Sequence, residues 1–355
     1  MEIKPIYPVE PWTITETSFD RKYNYRNETT FSLSNGYIGT RGTFEEAYDF
    51  DIDTGLEGNF VNGFYESEQI RYGEANFGSP LFSQSLLNLP NMKETRVLLE
   101  DEWFTMEEGT IENYSRILHM KDGVLKRSLV WTSPRGRKAE IRFQRLVSFE
   151  MKNIMAIRVQ VTPLNFSGKI QFRSRLQADV ENHTRKTNPI VDYGPFGRRL
   201  EPLRLEGEGH RLYYEGITKN SRLTVACGCG HRVSGGRCET GWEFCTGELE
   251  GMAVLTAEAK EGSAVVLEKM LCYSTDLDLP AEDLRGFILD TLEEAEQKTF
   301  GGLEKSQKAY MGRFWNTADI RIQGKDSEAL QQGLRFNLFH ILQSAGRDGR
   351  TGMGA

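Results

Sequence analysis

No window of this sequence approaches 18 uninterrupted apolar residues, and its start, Met1-Glu2-Ile3-Lys4-Pro5, lacks the apolar run of a signal peptide. A soluble, cytoplasmic chain with no membrane partner is expected. Basic charge is also short: 44 Lys plus Arg stand against 51 Asp plus Glu, a net charge of -7, which offers no general attraction to nucleic-acid phosphates. The five histidines, His119, His183, His210, His231 and His340, are isolated from one another, so no H-E-x-x-H or similar metal set exists. The nearest approach to a P-loop, Ser167-Gly168-Lys169-Ile170, lacks the leading glycine and the hydroxyl that would reach magnesium. No G-x-G-x-x-G opens a helix and no G-x-S-x-G elbow is present. These absences exclude nucleotide hydrolysis, nicotinamide and serine-esterase chemistry, and no cofactor is expected. Cysteines cluster at Cys227, Cys229, Cys238, Cys245 and Cys272, but Cys227-Gly228-Cys229 is a C-x-C, not a C-x-x-C knuckle. Free thiols in a reducing compartment explain them better than a metal site.

What is present is a β-rich chain. Its 355 residues exceed the roughly 250–300 at which one core stops growing, so more than one unit is expected. Residues 1–274 are dominated by short period-two stretches, such as Ala139-Ile141-Phe143, Ile154-Ala156-Val159-Val161, Ile170-Phe172-Ser174-Leu176 and Leu223-Val225, each with one dry face. Lys121-Asp122-Gly123, Ser133-Pro134-Arg135-Gly136, Asn165-Phe166-Ser167-Gly168 and Ser234-Gly235-Gly236 read as turns between them. The reading is a mainly β fold, a large antiparallel double sheet. Residues 275–326 read as a helical linker: Asp276-Leu277-Asp278-Leu279-Pro280 is a cap-and-proline entry, Leu284, Ile288, Leu292 and Ala295 follow at helical spacing, and Gly301-Gly302 breaks the helix. A second helix carries Leu303, Tyr310 and Phe314 on one side. Residues 327–355 open with Ser327 as a cap and present an apolar stripe of Leu330, Leu334, Leu338, Ile341 and Ala345 that needs a partner.

Local motifs for catalysis are absent. Glycoside chemistry needs a protonated carboxylic acid at the leaving oxygen and usually a second carboxylate, drawn from distant segments, so spacing does not reveal the pair. Glu45-Glu46, Glu66, Glu74, Glu107-Glu108 and Asp348 qualify by type alone. Two aromatic and amide-rich stretches suit sugar binding, Leu33-Ser34-Asn35-Gly36-Tyr37-Ile38-Gly39-Thr40-Arg41-Gly42 and Asn62-Gly63-Phe64-Tyr65-Glu66. The same glycines serve tight turns with Tyr37 and Ile38 in the core, and the residues alone leave both readings open.

These stretches, with Leu87-Asn88-Leu89-Pro90-Asn91, Tyr114-Ser115-Arg116-Ile117-Leu118-His119-Met120, Trp131-Thr132-Ser133-Pro134, Arg335-Phe336-Asn337-Leu338-Phe339-His340-Ile341-Leu342-Gln343 and Arg347-Asp348-Gly349-Arg350-Thr351, resemble the N-terminal region of glycoside hydrolase family 65. That family holds maltose, trehalose, kojibiose and nigerose phosphorylases and some trehalose hydrolases. The resemblance implies a mutarotase-like supersandwich, linker helices and the first helix of an (α/α)6 barrel truncated here. It implies an inverting phosphorolysis of α-glucosides, with disaccharide and inorganic phosphate as substrates, a glutamic general acid and possible homodimers. Family members continue into a Phe-Trp-Asp-Thr-Glu segment; Phe314-Trp315-Asn316 is only an echo of it, so no catalytic residue is assigned and the chain by itself is expected to be inactive. Tyr65, Glu66, Arg347, Asp348 and Arg350 are the expected substrate contacts. A stand-alone carbohydrate- or partner-binding sandwich is the alternative, followed by a trehalose-type hydrolase fragment and a sugar mutarotase.

Overall fold

The computed structural model describes residues 5–48, 55–74, 77–182, 191–192, 197–238, 243–325, 327–346, 349 and 351–352. Nine antiparallel strands make the larger sheet, in the order Thr13–Glu16, Thr110–His119, Val124–Thr132, Lys138–Val147, Ile154–Pro163, Val265–Thr275, Thr224–Ser234, Arg211–Thr218 and Leu200–Glu208. The smaller, six-stranded sheet runs Arg237–Cys238, Glu250–Ala259, Gly168–Gln177, Thr95–Leu99 and Glu102–Trp103, with Glu243–Thr246 also paired to Glu250–Ala259. Ala139, Ile141, Phe143 and Val159 of the first sheet meet Ile170, Phe172, Val97 and Ala257 of the second in one core. The turns at Gly123 and Gly136 have φ of +68° and +85°, a conformation glycine adopts without penalty, which is why those loops close tightly.

The one-dry-face pattern fails at the centre of the larger sheet. Ile154, Met155, Ala156 and Ile157 are buried in succession, as are all residues from Thr224 to His231. A helix on the far side is the cause. The short α1 (Asn24–Thr30) lies near the N-terminus, whereas α2 (Leu284–Ala318) lays Leu284, Ile288, Leu292, Ala295, Phe300 and Leu303 onto Ile154, Ala156, Ala226, Met270 and Cys272. Gly228 explains the C-x-C spacing: a Cβ there would lie 2.9 Å from Ile288 Cγ2 and 3.0 Å from the Leu212 carbonyl oxygen, so only glycine lets the helix approach. Cys227, Cys229 and Cys272 are buried free thiols, and burial pushes all three up.

The helical segment differs from expectation in its details. Neither Asp276 nor Asp278 caps it; Asp276 accepts from the Thr224 amide at 2.8 Å, and a 3-10 turn at Ala281–Asp283 precedes Leu284. The break falls at Thr299, held at φ 60°, just before Gly301-Gly302. Beyond it the inward side is Leu303, Gln307, Met311 and Trp315, with Tyr310 and Phe314 only half-buried. Gln307 turns inward because its amide donates to the Gly123 and Val147 carbonyls and accepts from the Phe149 amide at 3.0 Å. Trp315 packs edge-on against Trp12 and donates to the Met120 carbonyl at 3.0 Å, so the Phe314-Trp315-Asn316 echo belongs to the core.

At one end of the sandwich a block of buried ions fixes residues 40–46. Arg127 donates to Glu46 at 2.7 Å and to Glu45 at 3.3 Å, while Arg145 Nε donates to Glu45 at 2.9 Å. Lys93 reaches the Thr40 hydroxyl at 2.7 Å and the Arg41 carbonyl at 3.2 Å, Arg116 the Gly42 carbonyl, and Arg145 the Thr43 carbonyl at 2.7 Å. Glu45 and Glu46 are therefore structural ion partners. Burial pushes the Glu45 carboxyl up, but Arg145 and Arg127 outweigh it and hold the group below its ordinary 4.5. Because the folded value is the lower one, this contribution is complete above about 4.5 and fades as pH falls through the depressed value. Removing one partner of a buried pair costs about 3–5 kcal/mol, so Glu45→Ala should lower the free energy of urea unfolding at pH 7 by that amount and flatten its loss on acidification. An unchanged acid slope in the variant would assign the linkage elsewhere. At the helix–sheet seam, Leu292→Ala should cost about 2–5 kcal/mol by leaving a cavity, read by the same unfolding curves.

Candidate functional site

The hairpin formed by Leu33–Ser34 and Ile38–Thr40 turns through Asn35-Gly36-Tyr37 and pairs onward with Asn59–Val61. Asn35 is fully buried and saturated. Its amide nitrogen donates to the Ser148 and Lys152 carbonyls at 2.6 and 2.9 Å, and its oxygen accepts from the Tyr37 and Ile38 amides at 3.0 and 2.9 Å. Gly36, at φ +84°, allows the turn. The stapled turn aims the Tyr37 hydroxyl at Asp278, to which it donates, while Lys152 Nζ pairs with the other Asp278 oxygen at 2.9 Å and sits 4.7 Å from the Tyr37 ring. Burial, reinforced by the Asp278 charge, raises the Tyr37 pKa well above 10, so the phenol stays protonated.

Against this hairpin lies α3 (Ser327–Ser344). Its buried face is not the leucine stripe. Gln331, Gln332, Arg335, Phe339 and Gln343 point inward, whereas Leu330 and Ile341 are 60% and 55% exposed and Leu334, Leu338 and Ala345 are half-buried. The polar residues are inside because they find partners there: Gln332 donates to the Pro8 and Thr13 carbonyls at 2.9 and 2.8 Å, and Gln343 accepts from the Ser34 amide through its side-chain oxygen at 2.6 Å and from the Ser34 hydroxyl through its backbone carbonyl at 2.8 Å. Arg335 forks onto Asp319 at 2.7 and 2.8 Å and lies 3.6 Å from the Trp12 ring centre. Burial holds the His340 imidazole down at about 4, so it is neutral, and its Nε2 has no partner among the described residues.

Two cavities flank Tyr37 and Asn62. The larger, 840 Å³, lies between the hairpin, Phe60 and Leu86 on one side and Asn337, His340 and Ile341 of α3 on the other. The smaller, 410 Å³, is walled by Tyr37, Tyr65, Thr275, Asp278 and the Thr351-Gly352 segment. Asn62 stands between them: its amide donates to the Gly36 carbonyl at 3.2 Å, the Thr351 hydroxyl at 3.3 Å and the Gly352 carbonyl at 2.9 Å.

Of the residues expected to contact substrate, Tyr65 lines the smaller cavity. Its neighbour Glu66 points to the opposite side of the strand, fully buried, and accepts from the backbone amides of Ser67, Asn220 and Ser221 at 2.9, 3.0 and 2.7 Å. Burial raises its carboxyl, yet these donors pull it below the ordinary range, and the geometry makes it a staple for the 220–221 turn. Arg347, Asp348 and Arg350 lie outside the described residues. Thr275 and Asp278 were not among the residues singled out. Their segment looks in sequence like a helix entry, and only the return of the hairpin gives it a cavity to line.

Proton donation to a glycosidic oxygen needs an accessible carboxylic acid of raised pKa. Among the described carboxylates, Glu28 is held above its ordinary value by burial, but it is sealed beneath Arg41 and the Leu56 amide, which it accepts at 3.3 and 2.8 Å. Among the described residues no carboxylate lines the larger cavity, and Asp278 in the smaller one is neutralised by Lys152. Among the described residues, no group of three His, Cys, Asp or Glu could hold a metal ion, and no helix is long and apolar enough to cross a membrane.

The class the fold defines is a double-sheet sandwich backed by a broken helix, with a cleft beside the Leu33–Thr40 hairpin. Comparison with known proteins identifies it: residues 14–314 match the model for the glycosyl hydrolase family 65 N-terminal domain, and the chain belongs to that family. It is 37% identical to an alpha,alpha-trehalose phosphorylase of Thermoanaerobacter brockii, over 99% of this chain and 45% of that protein. It is 26% identical to a kojibiose phosphorylase of Halothermothrix orenii, over 94% and 40%. A solved structure, a putative kojibiose phosphorylase from the human microbiome, superposes with a TM-score of 0.81 at 21% identity over 95% of this chain and 42% of that one, which supports the fold. The chain spans less than half the length of these relatives.

The Asn62 contacts make a specific claim about donation. Asn62→Asp keeps the shape but replaces the donor with a carboxylate facing two carbonyls, so hydrogen exchange of the Thr351 and Gly352 amides should accelerate at least as much as in Asn62→Ala, roughly 5–10-fold. Exchange in Asn62→Asp matching the parent chain would show that shape alone holds the segment.

Proposed function

We propose that this chain is the N-terminal, non-catalytic part of an inverting disaccharide phosphorylase, and that α,α-trehalose is its disaccharide. The observation that carries this reading is the 37% identity with a trehalose phosphorylase across 99% of the chain, against 26–27% for kojibiose phosphorylases. The catalytic groups belong to the larger share of the relatives' length, which this chain does not align with. Their task is a direct displacement: a carboxylic acid protonates the glycosidic oxygen while inorganic phosphate attacks the anomeric carbon from the opposite face, giving β-glucose 1-phosphate and glucose. Phosphate supplies the nucleophile, so the second carboxylate of an inverting hydrolase is not needed.

The chain's own contribution is positional. The ion block fixes the hairpin, the hairpin and the N-terminal arm fix α3, and α3 is the first helix of the catalytic barrel in this reading. Its exposed Leu330 and Ile341, together with the wall of the larger cavity, are where the barrel packs. In domain terms, residues 1–274 form the sandwich, 275–326 the linker and 327–355 the start of the barrel. The complete enzyme uses no cofactor and works in the cytoplasm, as a homodimer.

Grafted in place of the corresponding N-terminal part of the Thermoanaerobacter brockii enzyme, this chain should preserve phosphorolysis of trehalose over kojibiose. The chain by itself should release no glucose 1-phosphate from trehalose and phosphate. Turnover by the chain alone, or a chimera that prefers kojibiose, would overturn the assignment.

A further inference from the structure

We propose that the 410 Å³ cavity between Tyr37, Tyr65 and the Thr351-Gly352 segment is a binding site for a single neutral sugar ring, carried by the sandwich itself. Its volume falls within the range of about 300–1,000 Å³ typical of small-molecule sites. Its walls combine the aromatic side chains of Tyr37 and Tyr65 with the apolar Leu277, surfaces that suit the C–H face of a pyranose. Its polar groups are uncommitted where a sugar needs them: the Tyr65 and Thr275 hydroxyls make no hydrogen bond among the described residues, although Thr275 is almost fully buried. Asp278 keeps further acceptor capacity on a carboxylate already neutralised by Lys152 at 2.9 Å, so the site carries a strong acceptor without net charge. That balance favours a hydroxyl-rich neutral ligand over a phosphate, for which the described lining residues present no free cation. One wall is the Thr351-Gly352 segment, held in place by the bond from Asn62 to the Gly352 carbonyl, so the site depends on the folded chain.

The inference rests on the carbohydrate reading above for its ligand class, while its test reads binding and not turnover, so the two fail separately. D-glucose titrated into the purified chain and followed by NMR should bind saturably, with a Kd of about 1–10 mM. Tyr65→Phe, which keeps the ring, and Thr275→Val, which keeps the shape, should each weaken binding about 5–10-fold, and Tyr65→Ala should abolish it. Inorganic phosphate should not displace the sugar. Absence of saturable glucose binding by the folded chain, binding indifferent to Tyr65→Phe and Thr275→Val, or displacement by phosphate would each overturn the proposal.

Discussion

Four buried cations converging on one short stretch of backbone form the constraint on which the rest of the molecule depends. Lys93, Arg116, Arg127 and Arg145 are all removed from solvent, and between them they engage the Thr40 hydroxyl, the Arg41, Gly42 and Thr43 carbonyls and the carboxylates of Glu45 and Glu46. A buried charge without its partner is far costlier than a mispacked methyl group, so residues 40–46 have one acceptable register against the larger sheet. Burial pulls the Lys93 ammonium down to about 8, and the Glu57 carboxylate resists that fall, which shows how closely such a site balances solvation against pairing. Gly42 belongs to the same constraint. A Cβ there would lie 2.7 Å from the Phe31 carbonyl oxygen and 2.9 Å from the Arg116 guanidinium, so any side chain would push the strand off its ion partners.

From that anchor the geometry propagates outward. The hairpin that begins at Leu33 ends in the anchored stretch, so its turn is placed by the ions and locked by Asn35 onto the Ser148 and Lys152 carbonyls. A fixed turn gives Gln343 a fixed partner in Ser34, some 309 residues away in sequence. The other end of α3 is held by the N-terminal arm through Gln332 and Arg335. The helix is thus docked by amides and a guanidinium, groups whose bonds are directional, and its apolar residues remain largely on the open side. Directional docking sets an orientation more sharply than a greasy interface would.

How far this was legible in the sequence depends on how many faces of an element are wet. Ala139-Ile141-Phe143 alternates visibly because its outer neighbours meet solvent, and the strand follows directly. Ile154 to Ile157 and Thr224 to His231 carry no such contrast, since α2 covers the second face, and their role as the middle layer emerges only when the helix is in place. The leucine stripe of α3 misdirects for a related reason: apolar spacing reports which residues could be buried, not which partners wait for them. Tyr65 lines a cavity, but its amide- and aromatic-rich stretch suited a core turn equally well, so the residues alone did not decide it. Glu66 beside it was not legible either, because its three amide partners include Asn220 and Ser221, brought near by the sheet.

The sequence by itself determined the β-rich body, the switch to helices after Thr275, the break near Gly301-Gly302 and the family to which the chain belongs, because periodicity, turn chemistry and extended motifs are local properties. Only the tertiary structure decided that Glu45 and Glu46 are ion partners, that Asn62 clamps the segment after α3, and that Asp278 with Thr275 lines a cavity. Those roles depend on which groups meet across tens to hundreds of residues once water is expelled. The energy of a buried polar group is set by its partner's position, and that position is not written in its immediate neighbours.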